Sequence, residues 1–295
     1  MSWVQVSESR WERQANGMES YFIAIENLTA SLCEGRRQYT INSRLKLRYE
    51  QPQIAATVEG IKKVYEVPDD SALENWLERT FITSDASDAE ALSREVTPIQ
   101  QATLYYLPRS SELLIRAPHS LIDGVGMIML WHSYLTAITA PREIAFGDEA
   151  TRLPNTLETL LHHPDPPRAE MTAKAQEIID AFVAAPGLGP MNNVGKVPPG
   201  PTQRRELAFS VETTSSIVCA CKDNGYSVSA AVHAAFIQTL IKHAHPAGDK
   251  TKYVTATNPD IRTFLPKPYN TSNYAAALFY TPWAFQIDPP PDSFD

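Results

Sequence analysis

The strongest constraint on the fold is a strand, a tight turn and a helix that follow one another within residues 112–139. The apolar run 113–117 indicates a buried strand, and the run that begins at Met127 has the three-to-four-residue spacing of a helix. His119 and Asp123 stand between the two runs. The sequence therefore predicts an imidazole and a carboxylate at the end of a strand, where open α/β layers expose reactive groups.

The segment His119-Ser-Leu-Ile-Asp123-Gly124 supports a specific chemistry. Histidine is largely neutral yet basic near pH 7, so it can take a proton from a hydroxyl as that hydroxyl attacks a carbonyl. Asp123 can hold the turn by pairing with a cation, and Gly124 and Gly126 are expected to allow positive φ and close backbone approach. The structural alternative is a partly buried core histidine beside an aspartate that caps the helix.

This segment resembles the signature of the CoA-dependent acyltransferases related to chloramphenicol acetyltransferase. Plant BAHD acyltransferases, fungal trichothecene O-acetyltransferases and condensation domains of peptide synthetases belong to that superfamily. A second stretch, from Asn258 through Arg262 to Tyr269 and then Asn273, is similar to a segment in the second half of such enzymes. The resemblance implies an α/β fold of α+β sandwich layers in two chloramphenicol-acetyltransferase-like halves. It also implies a tunnel between the halves, which CoA enters from one side and the acceptor from the other.

The resemblance further implies the roles of the site residues. His119 is the expected general base for direct transfer of an acyl group, most simply acetyl, from acyl-CoA to a hydroxyl of a small fungal secondary metabolite. Asp123 is expected to face away from the substrate and to pair with an arginine, for which we expect Arg262. Asp123, Gly124 and Arg262 are thus structural residues at the site, and no CoA-binding residue is identified.

Two alternatives stay open at this point. One is a catalytically altered or inactive relative that binds a metabolite, or that uses His119 as the base of an isomerisation or cyclisation. The other is a carrier-protein-dependent condensation domain. Loss of CoA release on removal of the imidazole would favour acyl transfer over the first alternative.

Composition predicts the domain organisation. We expect an N-terminal half at 1–185 with the histidine motif, a Pro/Gly-rich linker at 186–203 and a partial C-terminal half at 204–295. The later D-F-G-W-G segment of plant members is missing, so the second half is expected to be incomplete. An incomplete sheet exposes an edge and apolar surface through which the chain could self-associate.

The spacing of apolar residues and the positions of capping residues, Pro and Gly predict the helices and strands. Helices are expected at 40–49, 71–81, 124–138, 170–184, 212–221 and 227–243. Strands are expected at 21–25, 54–58, 61–67, 102–107, 112–117, 205–211 and 253–257, with one more inside 275–287.

Composition excludes some classes of function. The 295 residues carry a net charge of −8, which argues against nucleic acid as the main partner. No apolar run approaches the roughly 20 residues of a membrane span. The polar N-terminus does not resemble a signal peptide, and three cysteines form no disulfide framework. We therefore expect a cytoplasmic protein with no metal and no permanently bound cofactor.

Overall fold

The computed structural model contains two compact units, which are described separately below. The first comprises residues 1–166 and 259–281, and the second comprises 167–258 and 282–295. The structure describes residues 2–15, 17, 19–20, 23, 42–95, 98–139, 144–184, 187–189, 205–244 and 252–287. Helices and small sheets are mixed in both units, so the predicted α/β class is confirmed.

The predicted division into halves stays a prediction, because residue 186 and residues 190–203 of the linker lie outside the described part of the chain. The compact units have other boundaries. The segment 167–184 belongs to the second unit, and the segment 259–281 returns to the first. Arg262 therefore lies in the same unit as the histidine motif.

The first unit contains a four-stranded antiparallel sheet in the order β1-β2-β4-β3. Its strands are β1 (Val4–Gln5), β2 (Arg10–Gln14), β3 (Thr57–Glu59) and β4 (Lys62–Glu66). Arg13 on β2 lies directly opposite Lys63 on β4. Side chains of such a pair point to the same face of the sheet.

A second sheet in this unit delivers the chain to the histidine motif. Its strands are β5 (Phe81–Thr83), β6 (Thr103–Leu107) and β7 (Glu112–Arg116), in the order β5-β6-β7. β6 and β7, two of the predicted strands, form an antiparallel hairpin, and β5 runs parallel to β6. The end of β7 is three residues from His119.

Helices cover the sheets of the first unit. They are α1 (Asn42–Glu50), α2 (Asp70–Thr80), α3 (Ala89–Glu95), α4 (Gly124–Thr139) and α5 (Leu157–Leu160), with 3₁₀ helices at Pro52–Ala55, Glu149–Arg152, Arg262–Phe264 and Ser272–Tyr274. Leu130 and Tyr134 of α4 are buried in one core with Leu47, Trp76 and Ala275. The helix that follows the histidine motif is thus anchored in this core.

The second unit is built from three helices and a two-stranded sheet among its described residues. These elements are α6 (Ala169–Ala184), α7 (Val211–Asp223), α8 (Val228–His243), β8 (Tyr253–Thr257) and β9 (Trp283–Ile287). The two strands are antiparallel. Leu188, Ile237, Ala244 and Tyr253 form its buried cluster. Among the described residues, no helix combines the length and apolar character that crossing a membrane requires.

Most predicted elements are confirmed to within a few residues, but the strand at 205–211 is wrong. Residues 205–210 have no regular structure, and α7 begins at Val211 because the Ser210 side chain caps it by accepting the Thr213 N–H at 3.2 Å. The strand predicted at 54–58 is confirmed only from Thr57 onward. Residues 52–55 form a 3₁₀ helix instead, since Pro52 at its start favours helical φ. The predicted strand at 21–25 lies outside the described residues apart from Ile23, which is helical.

Candidate active site

The turn between β7 and α4 presents the candidate base. Ser120, Leu121, Ile122 and Asp123 are all buried, whereas His119 is exposed. The backbone of the turn is closed locally, because the Leu121 N–H donates to the carbonyl of residue 118 at 3.0 Å. Residues 120–123 of the turn are thus buried, whereas the imidazole of His119 is exposed.

One hydrogen bond sets the tautomer of His119. Its Nδ1 lies 3.1 Å from the backbone carbonyl oxygen of Ile122. A carbonyl oxygen only accepts hydrogen bonds, so Nδ1 carries the proton of the neutral ring and Nε2 carries the lone pair. The ring also faces Tyr280, with centroids 6.0 Å apart and an interplanar angle of 29°. The geometry therefore makes Nε2 the proton-accepting atom.

Asp123 and Arg262 form a buried ion pair. Nη1 of Arg262 donates to the Asp123 carboxylate at 3.0 Å, and the two side chains are 3% and 4% exposed. The same carboxylate accepts the backbone N–H of Gly126 at 2.7 Å and that of Phe279 at 2.8 Å. Asp123 therefore caps α4 and also holds the chain at 279. The pair that the resemblance implied is present in the structure.

Arg262 fastens the returning segment 259–281 to the turn. It also pairs with Asp260 at 3.0 Å, and its guanidinium carbon lies 5.3 Å from the centre of the Phe279 ring. The carbonyl of Ala277 accepts the backbone N–H of Asp123 at 3.1 Å. These contacts lie within the first unit, so the pair joins two chain segments of one compact body.

The two glycines differ in what they permit. A Cβ added to Gly126 would lie 2.2 Å from the carbonyl oxygen of Ala275 and 2.9 Å from Nη2 of Arg262, so only glycine fits there. A Cβ on Gly124 would meet none of the described atoms within 4 Å. Neither glycine has a positive φ, so that expectation is wrong for both. The close approach belongs to Gly126, because the segment around Ala275 packs against the first turn of α4.

Sequence reasoning missed a buried charged cluster beneath the turn. The Lys63 ammonium donates to the carbonyl of Ser120 at 2.5 Å and to Glu19 at 2.6 Å. Arg13 binds the same carboxylate through both of its terminal nitrogens, with Nη2 at 2.8 Å. Burial raises the pKa of Glu19, but Lys63 and Arg13 outweigh it and lower that pKa to about 2. No local pattern indicates this cluster, because Lys63 is 44 residues from Glu19 and 57 from Ser120.

Two buried glutamines were missed for the same reason. Gln53 donates to the carbonyl of Leu121 at 3.1 Å and to that of Ala276 at 2.9 Å. Gln51 donates to the carbonyl of Ser272 at 2.7 Å and accepts the Ala276 N–H at 3.1 Å. Both side chains thereby connect the 3₁₀ helix that begins at Pro52 to the turn or to the returning segment.

A separate cavity of about 550 Å³ lies in the first unit, and His119 is absent from its lining. The lining residues are Lys46, Tyr49, Glu50, Gln51, His132, Ser133, Thr136, Arg152, Pro268, Ser272, Asn273 and Tyr274. Arg152 is occupied there by Asp148 and by the hydroxyl of Tyr49. The tunnel expected at His119 therefore stays a prediction. The described residues contain no cluster of three or more metal-ligating side chains.

Comparison with known proteins finds relatives among fungal acetyltransferases. Acetyltransferase pigO of Monascus ruber is 24% identical over 317 aligned residues, which cover 97% of this chain and 69% of pigO. O-acetyltransferase pigM of the same fungus is 27% identical over 88% of this chain and 52% of pigM. This chain therefore spans about half of pigM and about two thirds of pigO. No protein-family model matches the chain.

Solved structures share the fold. The trichothecene 15-O-acetyltransferase TRI3 of Fusarium sporotrichioides has a TM-score of 0.72 at 19% identity, over 97% of this chain and 68% of TRI3. The first condensation domain of the calcium-dependent antibiotic synthetase has a TM-score of 0.60 at 13% identity, over 94% of this chain and 70% of that chain. The predicted fold class is therefore confirmed.

Proposed function

We propose that this chain, which has the fold of the CoA-dependent acyltransferase superfamily and relatives among fungal acetyltransferases, is an acyltransferase of secondary metabolism. It moves an acyl group, most simply acetyl, from acyl-CoA to a hydroxyl of a small metabolite, and it acts in the cytoplasm. The observation that carries this proposal is the hydrogen bond from His119 Nδ1 to the Ile122 carbonyl, which leaves Nε2 as the basic atom at an exposed position. The names of pigO, pigM and TRI3 support the same reaction class.

The reaction runs in two steps at one imidazole. Nε2 of His119 takes the proton of the acceptor hydroxyl while the oxygen attacks the thioester carbonyl carbon, which forms a C–O bond and a tetrahedral oxyanion. The oxyanion then collapses, the C–S bond breaks, and the imidazolium returns the proton to the departing CoA sulfur. General-base assistance of this kind contributes about 10²–10⁴-fold in rate.

Asp123 has a positioning role in this proposal. Its carboxylate already accepts hydrogen bonds from Arg262, Gly126 and Phe279, so it stabilises the backbone of the turn. That backbone holds the Ile122 carbonyl in place for Nδ1 of His119. Such a role requires no contact between Asp123 and substrate.

A transfer assay with a matched control tests the proposal. The protein is incubated with acetyl-CoA and a panel of hydroxylated polyketide and terpenoid alcohols, and both free thiol and acetylated product are measured. His119→Ala is expected to lower kcat about 10²–10⁴-fold because the general base is gone. The control is His163→Ala, an exposed loop histidine whose ring contacts the neighbouring Pro164 carbonyl, and it is expected to keep the wild-type rate.

Two results would oppose the proposal. A His119→Ala variant with an unreduced rate would remove the base from the mechanism. A wild-type protein that neither binds acetyl-CoA nor releases CoA would favour the alternative of a metabolite-binding, isomerising or cyclising relative.

A further inference from the structure

Lys63 occupies an unusual place for a lysine, because its side chain is 0% exposed although it lies on β4 only one residue from the strand's start. Arg13, its cross-strand neighbour on β2, is equally buried, with a side chain that is also 0% exposed. Like charges placed opposite each other on a sheet destabilise it. Both cations converge on the carboxylate of Glu19, which offsets the repulsion.

Arg13 alone supplies one positive charge for the one negative charge of Glu19. Arg13 binds both carboxylate oxygens of Glu19, and this bidentate pair is neutral by itself. Lys63 brings a second cation, so the three side chains together sum to one positive charge. A buried charge costs free energy unless its hydrogen bonds repay it, so its presence calls for a further reason.

The carbonyls of the turn supply that reason. The oxygen of Ser120 accepts from Lys63 at 2.5 Å, and the next oxygen, of Leu121, accepts from Gln53 at 3.1 Å. The third, of Ile122, is 3.1 Å from Nδ1 of His119. Three successive carbonyls thus have three specific partners. Two are held by buried side chains from other segments, and the third orients the imidazole.

We propose that Lys63 is a positioning residue for acyl transfer, which holds the Ser120 carbonyl and, with Gln53, sets the Ile122 carbonyl that directs the His119 ring. This inference rests on the function proposed above. A charge-assisted hydrogen bond is the strong kind, which suits the anchor of a short turn. A reacting group misplaced by about 1 Å can lose about 10²-fold in rate, so a loosened turn has a measurable consequence.

The test compares two adjacent lysines. Lys63→Met removes the ammonium and leaves the neutral Arg13–Glu19 pair, so the sheet is expected to stay folded. Lys62→Met is the control, because Lys62 has a side chain that is 45% exposed and pairs with Glu12 at 2.8 Å. We expect Lys63→Met to lower kcat roughly 10–100-fold per folded molecule with KM for both substrates unchanged, and Lys62→Met to change neither. Lys63→Arg, which keeps a donor, is expected to recover part of kcat.

A spectroscopic readout separates this inference from the proposed function. In the wild type, Nδ1 of His119 is expected to give a ring nitrogen resonance of the protonated type, identified by its absence in His119→Ala. Lys63→Met is expected to remove or shift that resonance, and Lys62→Met to keep it, whether or not the protein transfers acetyl groups. If Lys63→Met does not fold, Gln53→Met is measured in the same two ways. An unchanged resonance together with an unchanged kcat overturns the inference, as does a loss of activity that only follows the folded fraction.

Discussion

The two compact units bury long helices to different extents. α4 in the first unit and α8 in the second are both 16 residues long. α4 buries four residues, among them Leu130 and Tyr134 at 1% exposure, whereas α8 buries only Ile237. Val232 and Phe236 on α8 are 62% and 53% exposed. The first unit is therefore the better-packed support for a site that depends on fixed geometry.

The polar contacts compared here are also more buried in the first unit than in the second. The turn that follows β7 is held by buried partners, such as the Asp123–Arg262 pair and the Lys63 contact to Ser120. In the second unit, His233 contacts the hydroxyl of Tyr253 at 2.9 Å in a partly buried environment. We infer that the first unit supplies the fixed geometry that the proposed acyl transfer requires. The exposed apolar surface of the second suits self-association, which stays a proposal.

Removal of a helix cap should give the largest stability difference between the units. Asp123 caps α4 while buried and paired, and Ser227 caps α8 by accepting the Ala230 N–H at an exposed site, 3.1 Å away. Asp123→Ala is expected to cost about 3–5 kcal/mol because it leaves Arg262 buried without its main partner. Ser227→Ala is expected to cost about 1 kcal/mol. Urea denaturation measures both, and equal losses would contradict the comparison.

Truncation of apolar side chains should show a similar contrast. Leu130→Ala in α4 is expected to cost about 2–5 kcal/mol because it opens a cavity in the core. Val232→Ala in α8 is expected to change stability by less than about 0.5 kcal/mol, since its side chain is largely exposed. Thermal denaturation is the measurement. Val232→Ser is also expected to weaken any self-association in sedimentation, and a loss of stability comparable to that of Leu130→Ala would show that α8 is packed in solution.

The two glycines of the turn provide a smaller contrast within the first unit. Gly126→Ala is expected to destabilise by about 1–3 kcal/mol, because its methyl group collides with the Ala275 carbonyl and must displace it. Gly124→Ala is expected to be neutral within about 0.5 kcal/mol, since open space surrounds that position among the described residues. Chemical denaturation of the two variants measures both changes in stability. Equal losses would contradict the close backbone approach at Gly126.

Acid should weaken the first unit gradually through Glu19. Its pKa is lowered from 4.5 to about 2 in the folded protein, since the attraction of Lys63 and Arg13 outweighs the effect of burial. The folded state therefore holds this proton less tightly than the unfolded state. The resulting stabilisation is present above about pH 4.5 and is lost as the pH falls toward 2. Denaturant midpoints measured from pH 6 to 2 should fall across that window, and midpoints that stay level would contradict the role of the cluster.

Local patterns predicted much of the fold and less of the site. The helix from Gly124, the two strands before it and the helix that begins at Val228 follow from periodicity and capping chemistry, which act over a few residues. The Asp123–Arg262 pair spans 139 residues, and only the resemblance indicated it. Lys63 and Gln53 escaped prediction because hydrogen bonds to distant backbone carbonyls have no sequence signature. The strand expected at 205–211 is wrong, because Ser210 caps a helix that begins at Val211.

The pH dependence of a single acetyl transfer, compared between the wild type and His119→Ala, tests the central claim most directly. If His119 removes the acceptor proton, the wild-type rate levels off once the imidazole is neutral. The residual rate of the variant should then keep rising about tenfold per pH unit, because hydroxide must replace the missing base. Parallel pH profiles of similar height for the two proteins would contradict the assignment of His119 as the general base.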